Sequence, residues 1–397
     1  MVAVGLVLAG CHRSEPLSAL APDGGFFIPK TTDAVLAEGN FFSRIAALES
    51  IAARVPDGGA LNVQRTGELV DQLLARAQVF GQLEDYDEAE AWVARLDREA
   101  KSPSLPLVLL RAKVRASLHR FNEADAALDA AEKLSAPPKI LVPLRASLLQ
   151  ARGQLDEAVA EGAKLGQPRP GILELGNRAT LLAALGQDAE AERDFDQAVR
   201  VYADVSPMPI AWVYFQRGLA RERRGDLRGA EAVYAVAHQV FPKYAPAAGH
   251  LAQMRSAAGD DAGALALLEP LVKSANDPEY VAQLATVLGK SDPPRSEALR
   301  AAAKASYETL LAKHPDAFAD HAARFYLATE PARALELAKK NLAVRQTAEA
   351  LELALDAALS AGNHPEACAL AGELLVRPRM SERLRRRGTH VQSGCGK

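Results

Sequence analysis

Apolar residues recur along most of this chain at the spacing of a helix with one buried face. The clearest stretch is Ala211 to Pro242, AWVYFQRGLARERRGDLRGAEAVYAVAHQVFP. Its second half carries Ala230, Val233, Tyr234, Ala237 and Phe241, and its first half keeps the same period in Trp212, Phe215, Leu219 and Ala220. Between the halves, Gly225 admits a positive φ and Asp226 offers a helix N-cap. Pro207 and Pro209 precede the unit and Pro242 closes it, so neither helix runs on into its neighbour. The pattern predicts a helical hairpin. Neither helix can bury its stripe alone, so further copies are expected beside it.

The copies are present. The local pattern G-x-x-x-x-A, ending on the small residue that opens the second helix, recurs at Gly153–Ala158, Gly186–Ala191, Gly225–Ala230, Gly259–Ala264 and Gly362–Ala367. Glu84–Ala89, His119–Ala124 and Thr329–Ala334 repeat it without the glycine, and Ala303, leading into Tyr307, Leu310 and Pro315, is a displaced copy. The alanines at 89, 124, 158, 191, 230, 264, 303, 334 and 367 are spaced by 35, 34, 33, 39, 34, 39, 31 and 33 residues.

A helix-turn-helix pattern with a period of about 34 resembles the tetratricopeptide repeat (TPR) family. Gly218, Gly225, Asp226, Ala230, Tyr234, Ala237 and Pro242 stand at that family's spacing, and Asp85-Tyr86-Asp87-Glu88-Ala89 matches its turn closely. The resemblance implies an all-α fold: a right-handed α-solenoid of about nine TPR-like hairpins over residues 67–376, its first helices lining a concave face. The 39-residue steps place insertions near residues 201–209 and 291–299, and the 31-residue step shortens the turn of the eighth repeat.

Composition fits such an array. Alanine is abundant, aromatics are only 5%, and small residues let helices approach closely. A net charge of −3 with 24% charged residues gives no global field for nucleic acid or an anionic membrane. No apolar run approaches the ~20 residues that span a bilayer.

The ends differ from the repeats. Met1 to Cys11 reads MVAVGLVLAGC, and Leu8-Ala9-Gly10-Cys11 resembles the lipobox of bacterial lipoproteins. That resemblance implies cleavage before Cys11 and lipid on its thiol, although the apolar run is short and no lysine or arginine precedes it. Residues 1–11 are therefore assigned to a signal peptide and 12–31, rich in proline and glycine, to a flexible tether. Residues 32–66, with Phe41, Ile45, Leu48 and Ile51 at helical spacing, form an N-terminal helical cap or half-repeat. Residues 377–397 carry Arg377, Arg379, Arg383, Arg385, Arg386 and Arg387. Without interleaved aromatics these arginines suit the solvated face of a cap better than a nucleic-acid patch, and the tail beyond Gly388 is expected to fray.

Candidate chemistry is sparse. The eight histidines show no i, i+4 zinc pairing around a glutamate. Asp316, Asp320 and His321 could share a helix face and hold a metal, but acids just after Pro315 suit a helix start better. Gly289-Lys290-Ser291 lacks the first glycine and the preceding strand of a phosphate loop, so it reads as an interhelical loop. Cys368 is expected as a small buried hydrophobe, with no bridge to Cys395. No catalytic residue, cofactor site or metal site is assigned.

The expected function is a lipid-anchored scaffold of the bacterial cell envelope, facing the periplasm and holding a protein or peptide in its concave groove. Its membrane contact runs through Cys11, and nucleic acid is not expected as a partner. The alternatives are a cytoplasmic TPR adaptor and a non-catalytic subunit of an envelope enzyme. Asn177, Trp212, Phe215, Gln216, His250 and Gln253, on first helices of three consecutive repeats, are the candidate groove residues. The aromatics would supply apolar area and the others donors and acceptors for a peptide backbone, though either aromatic also suits the space between helices.

Overall fold

The computed structural model describes residues 26–54, 61–166 and 170–395, and every regular element among them is an α-helix. Cys11 and the lipobox lie outside the described residues. After α1 (Ala34–Ala53) come α2 (Val63–Phe80) and α3 (Asp85–Glu99), then α4 (Leu105–Ser117) and α5 (Phe121–Lys133). Next are α6 (Pro138–Arg152) and α7 (Leu155–Ala163), α8 (Ile172–Ala184) and α9 (Asp188–Arg200), and α10 (Met208–Arg224) and α11 (Leu227–Val240). The later half has α12 (Ala245–Ala257) and α13 (Asp261–Ser274), α14 (Pro278–Leu288) and α15 (Pro293–Lys313), and α16 (Pro315–Tyr326) and α17 (Pro331–Val344). The last pair is α18 (Ala348–Ser360) and α19 (His364–Val376), closed by α20 (Glu382–Gln392). From α2 to α19 each first helix packs on its own second helix, and successive hairpins stack. The chain is an α-solenoid of helical hairpins, as its spacing implies.

The repeat phase holds throughout. All nine spacing alanines lie in second helices and are at most 2% exposed. The hairpin α10–α11 shows why small residues are required there. A Cβ on Gly218 would lie 2.4 Å from the Tyr234 ring, so the ring packs flat against bare backbone. Gly225 turns the chain at φ 89°, and Asp226 accepts the Gly229 N–H at 3.0 Å to start α11.

The two insertions have different fates. Residues 201–207 form an irregular connection ahead of α10. Near 291–299 the extra residues instead lengthen α15 to 21 residues, because Pro293 and Pro294 suit a first turn and Asp292 caps it through the Arg295 N–H. The eighth repeat pairs α16 with α17 despite its short turn.

The C-terminus corrects two expectations. The tail does not fray after Gly388: α20 runs to Gln392, with Ser381 as its cap and Leu384 buried against the last hairpin. Arg383 forks onto Glu352 of α18 at 2.6 and 2.8 Å, and Arg387 pairs with Asp356 one turn further on. Cys368 is bonded to Cys395 with a Cα–Cα distance of 5.9 Å, because the packing of α20 on α19 brings the two thiols together. A sequence separation of 27 gave no hint of that proximity.

The solenoid winds back on itself. Asn276 donates its backbone N–H to Gly81 O at 3.0 Å and accepts the Leu83 N–H on its side chain at 2.6 Å. His119 meets Asp316 O at 3.1 Å, and Gln346 N–H reaches Arg152 O at 3.0 Å. The side-chain bonds of Gln82, Leu83, His119 and Arg120 across this seam join residues 192 to 197 positions apart, between five and six repeat lengths, and those of Asp87 to Lys313 and His314 span 226 and 227. Turns of early hairpins thus rest on the starts of late first helices.

Candidate functional site

Three neighbouring first helices, α8, α10 and α12, carry the six candidate groove residues. Asn177 is exposed, and Gln216 and Gln253 are half-buried. Trp212 is half-buried, with its ring edge over Gly176 of α8, where a Cβ would stand 2.4 Å away. Phe215 and His250 are not on a surface: they are 5% and 3% exposed and pack edge-to-face at 5.3 Å. His250 therefore cannot offer both ring nitrogens to a peptide. Its Nδ1 donates to Glu222 at 3.2 Å, and the Tyr234 hydroxyl donates to the same carboxylate oxygen at 2.6 Å. Burial alone would raise the Glu222 pKa, but these two donors hold it below its ordinary value.

Beyond His250 lies a cavity of about 190 Å³ at the seam. It is walled by α2, α10, α12, α14, α16 and the turns after α2 and α4, and its polar lining includes His119, His250, Asp277, Glu279 and His321. Each is placed by a local rule. Asp277 caps α14 by accepting the Glu279 N–H at 2.8 Å; Glu279 sits in the first turn of α14; His321 lies on α16, which starts at Pro315.

The electrostatics follow from burial beside paired charges. His321 Nδ1 donates to Glu279 at 2.8 Å and stands 3.7 Å from Asp320, itself 3.5 Å from Arg345. Burial would discharge His321, but Asp320 and Glu279 outweigh it and push its pKa up to about 9. Burial likewise opposes ionisation of Glu279, and the His321 contact overrides it, bringing the carboxyl down to about 2. Asp320 is held low by His321 and Arg345 against its own burial. Asp277 goes the other way: burial and the neighbouring Glu279 push it up to about 7. Burial lowers His119 to about 4, so it is neutral. Glu279 and His321 keep about a fifth of their side chains accessible, 21% and 19%, so water reaches them through the cavity.

The metal alternative does not survive this geometry. Asp320 and His321 are engaged by Arg345 and Glu279, and Asp316 meets the seam through its backbone oxygen, at His119. A larger cavity of about 480 Å³ lies further along the seam, but its arginines are already paired: Arg120 with Glu90, Arg152 with Asp125 and Asn122. Spacing within one repeat could not reveal the Asp277–Glu279–His321 group, because its members belong to different repeats. The readable signal was only Asp277-Pro278-Glu279, a helix start.

A tetratricopeptide repeat model matches residues 223–288, from the end of α10 to the end of α14, and supports that family as the source of the hairpins. No curated protein matches the chain. Among solved structures, the APC/C hetero-tetramer Cut9–Hcn1 aligns at TM-score 0.45 and 15% identity, covering 89% of this chain and 73% of that one. A tetratricopeptide repeat protein from Parabacteroides merdae aligns at TM-score 0.39 and 16% identity, covering 70% of this chain and 99% of that one.

Proposed function

We propose that this protein is a non-catalytic, lipid-anchored scaffold of the bacterial envelope that holds a protein or peptide partner along its first helices. The observation that carries the binding role is the row α8, α10 and α12, where Asn177, Trp212, Gln216 and Gln253 remain accessible beside one another. A half-buried tryptophan flanked by amide side chains suits an extended peptide, which needs apolar area together with donors and acceptors. The anchoring rests on Leu8-Ala9-Gly10-Cys11, and the periplasmic location follows from it.

Two measurements test this reading. Cys11→Ala should move the protein from the membrane fraction to the soluble fraction; an unchanged distribution sinks the anchor. Trp212→Ala should abolish capture of the partner recovered by crosslinking intact cells, with the melting temperature preserved. A large drop in melting temperature would place Trp212 in the core instead.

A further inference from the structure

The cavity at the seam is one positive charge short. Glu279 has His321, and Asp320 has Arg345. Asp277 accepts only a backbone N–H, and among the described residues no lysine, arginine or histidine stands within ion-pair distance of it. Beside it is a second polar group, on His250. His250 is 97% buried by its 3% exposure, and its Nε2 has no partner among the described residues. With Nδ1 turned to the Glu222 carboxylate as donor, the Nε2 edge of the ring is the one left to the cavity that His250 lines. Buried polar atoms of this kind are almost always paired in native proteins.

Size narrows the occupant. A volume of about 190 Å³ is below the ~300 Å³ at which pockets for drug-sized ligands begin, yet holds several waters at ~30 Å³ each. It suits the end of one side chain. The walls are aromatic as well as acidic: Phe215, Tyr280 and Phe318 surround the acids, a setting that takes up a cation and its alkyl stem.

We propose that this cavity binds an alkylammonium or guanidinium cation, supplied by a lysine or arginine of the polypeptide held on the first helices, with Asp277 and Glu279 as counter-charges and His250 Nε2 as acceptor. The proposal rests on the groove reading above for the source of the cation, but not for the site itself. The cation donates to Asp277 and to Nε2, completing the charge balance of the seam. No bond is made or broken.

Calorimetry with three probes tests it: agmatine as the free cation, a glycine-rich nonapeptide with central arginine, and the same peptide with neutral citrulline. The arginine peptide should bind at least about tenfold tighter than the citrulline peptide, and Asp277→Asn should erase that difference. Asparagine still caps α14, so the variant keeps its helix start, which its melting curve verifies. A wild-type measurement covers failure of the variant to fold. Agmatine affinity should rise about tenfold from pH 6 to pH 8 as Asp277 ionises, with Glu279, His321, His119, His250, Tyr86 and Tyr280 the titratable groups around it. Agmatine binding without the peptide effect overturns the assignment to a side chain of the held polypeptide and leaves the site to a small free cation. No agmatine binding, or a flat pH profile, overturns the site. Trp212-dependent partner capture surviving any of these results leaves the groove reading intact.

Discussion

The interior of a hairpin and the seam between superhelical turns are both buried, yet they are built from opposite materials. Inside the α10–α11 hairpin, a Cβ on Gly218 would stand 2.4 Å from the Tyr234 ring, Ala230, Val233 and Ala237 are fully buried, and the packing is mostly apolar. At the seam Asp87 meets His314, and beside it Glu279 pairs with His321 and Asp320 with Arg345 in the late repeats that form one wall; these contacts are hydrogen bonds and ion pairs. Repeat arrays ordinarily touch only nearest neighbours, so their stability sums along the chain. The seam adds terms that join early repeats to late ones. A hairpin tolerates almost no change of volume; a seam tolerates almost no change of charge.

Breaking the hairpin should have the largest effect. Gly218→Leu drives a side chain into the Tyr234 ring, which cannot swing away while its hydroxyl is held by Glu222. Overpacking costs about 1–3 kcal/mol and sometimes more, and this site should reach at least about 3 kcal/mol in thermal or urea unfolding. A melting curve like that of the parent would show that the ring has room.

The seam should respond to pH where the hairpin does not. His321 has a folded pKa of about 9, above its ordinary value near 6.5, so its contribution is complete below about pH 6.5 and fades as pH rises through 9. Asp277, raised to about 7, acts in the same direction from about pH 4 to 7, since its ionisation is harder in the folded chain. Stability should therefore fall between pH 6.5 and 9 by on the order of 2 kcal/mol. His321→Gln should flatten most of that slope, and an unchanged slope would assign it to other groups.

The smallest effect sharpens the contrast between seam pairs and surface pairs. Arg386 and Glu382 form an i, i+4 pair at 3.0 Å with both side chains largely in water. Arg386→Ala should change the melting free energy by less than about 0.5 kcal/mol. A larger loss would mean that α20 depends on surface charge, not on Leu384 and the Arg383–Glu352 fork.

The same contrast explains what could be read from the sequence. The hairpins were legible because their determinants lie within one period: Ala230 implies Gly218 and Tyr234 by spacing alone. The seam was not, because Gly81 and Asn276 carry no mark that the superhelix closes between five and six repeats. The candidate groove was partly legible. Asn177, Trp212, Gln216 and Gln253 fall on neighbouring first helices as their phase implies, whereas His250 is drawn inward by Glu222, a partner 28 residues earlier in the preceding repeat. The Cys368–Cys395 bond escaped for the same reason: it depends on how α20 folds back, and no period describes a terminal helix.

The residues just ahead of α1 decide which hairpin would receive a pull from that side. Phe26 lies edge-on to Tyr214 and under the guanidinium groups of Arg217 and Arg221, and the Tyr214 hydroxyl donates to Phe27 O at 2.5 Å. Thr32 N–H then reaches Val205 O at 2.8 Å. A pull on the chain ahead of Phe26 is thus delivered to α10, in the fifth hairpin, before it reaches α1 or the first. The segment ahead of α1 is fastened near the middle of the array and not at its first hairpin.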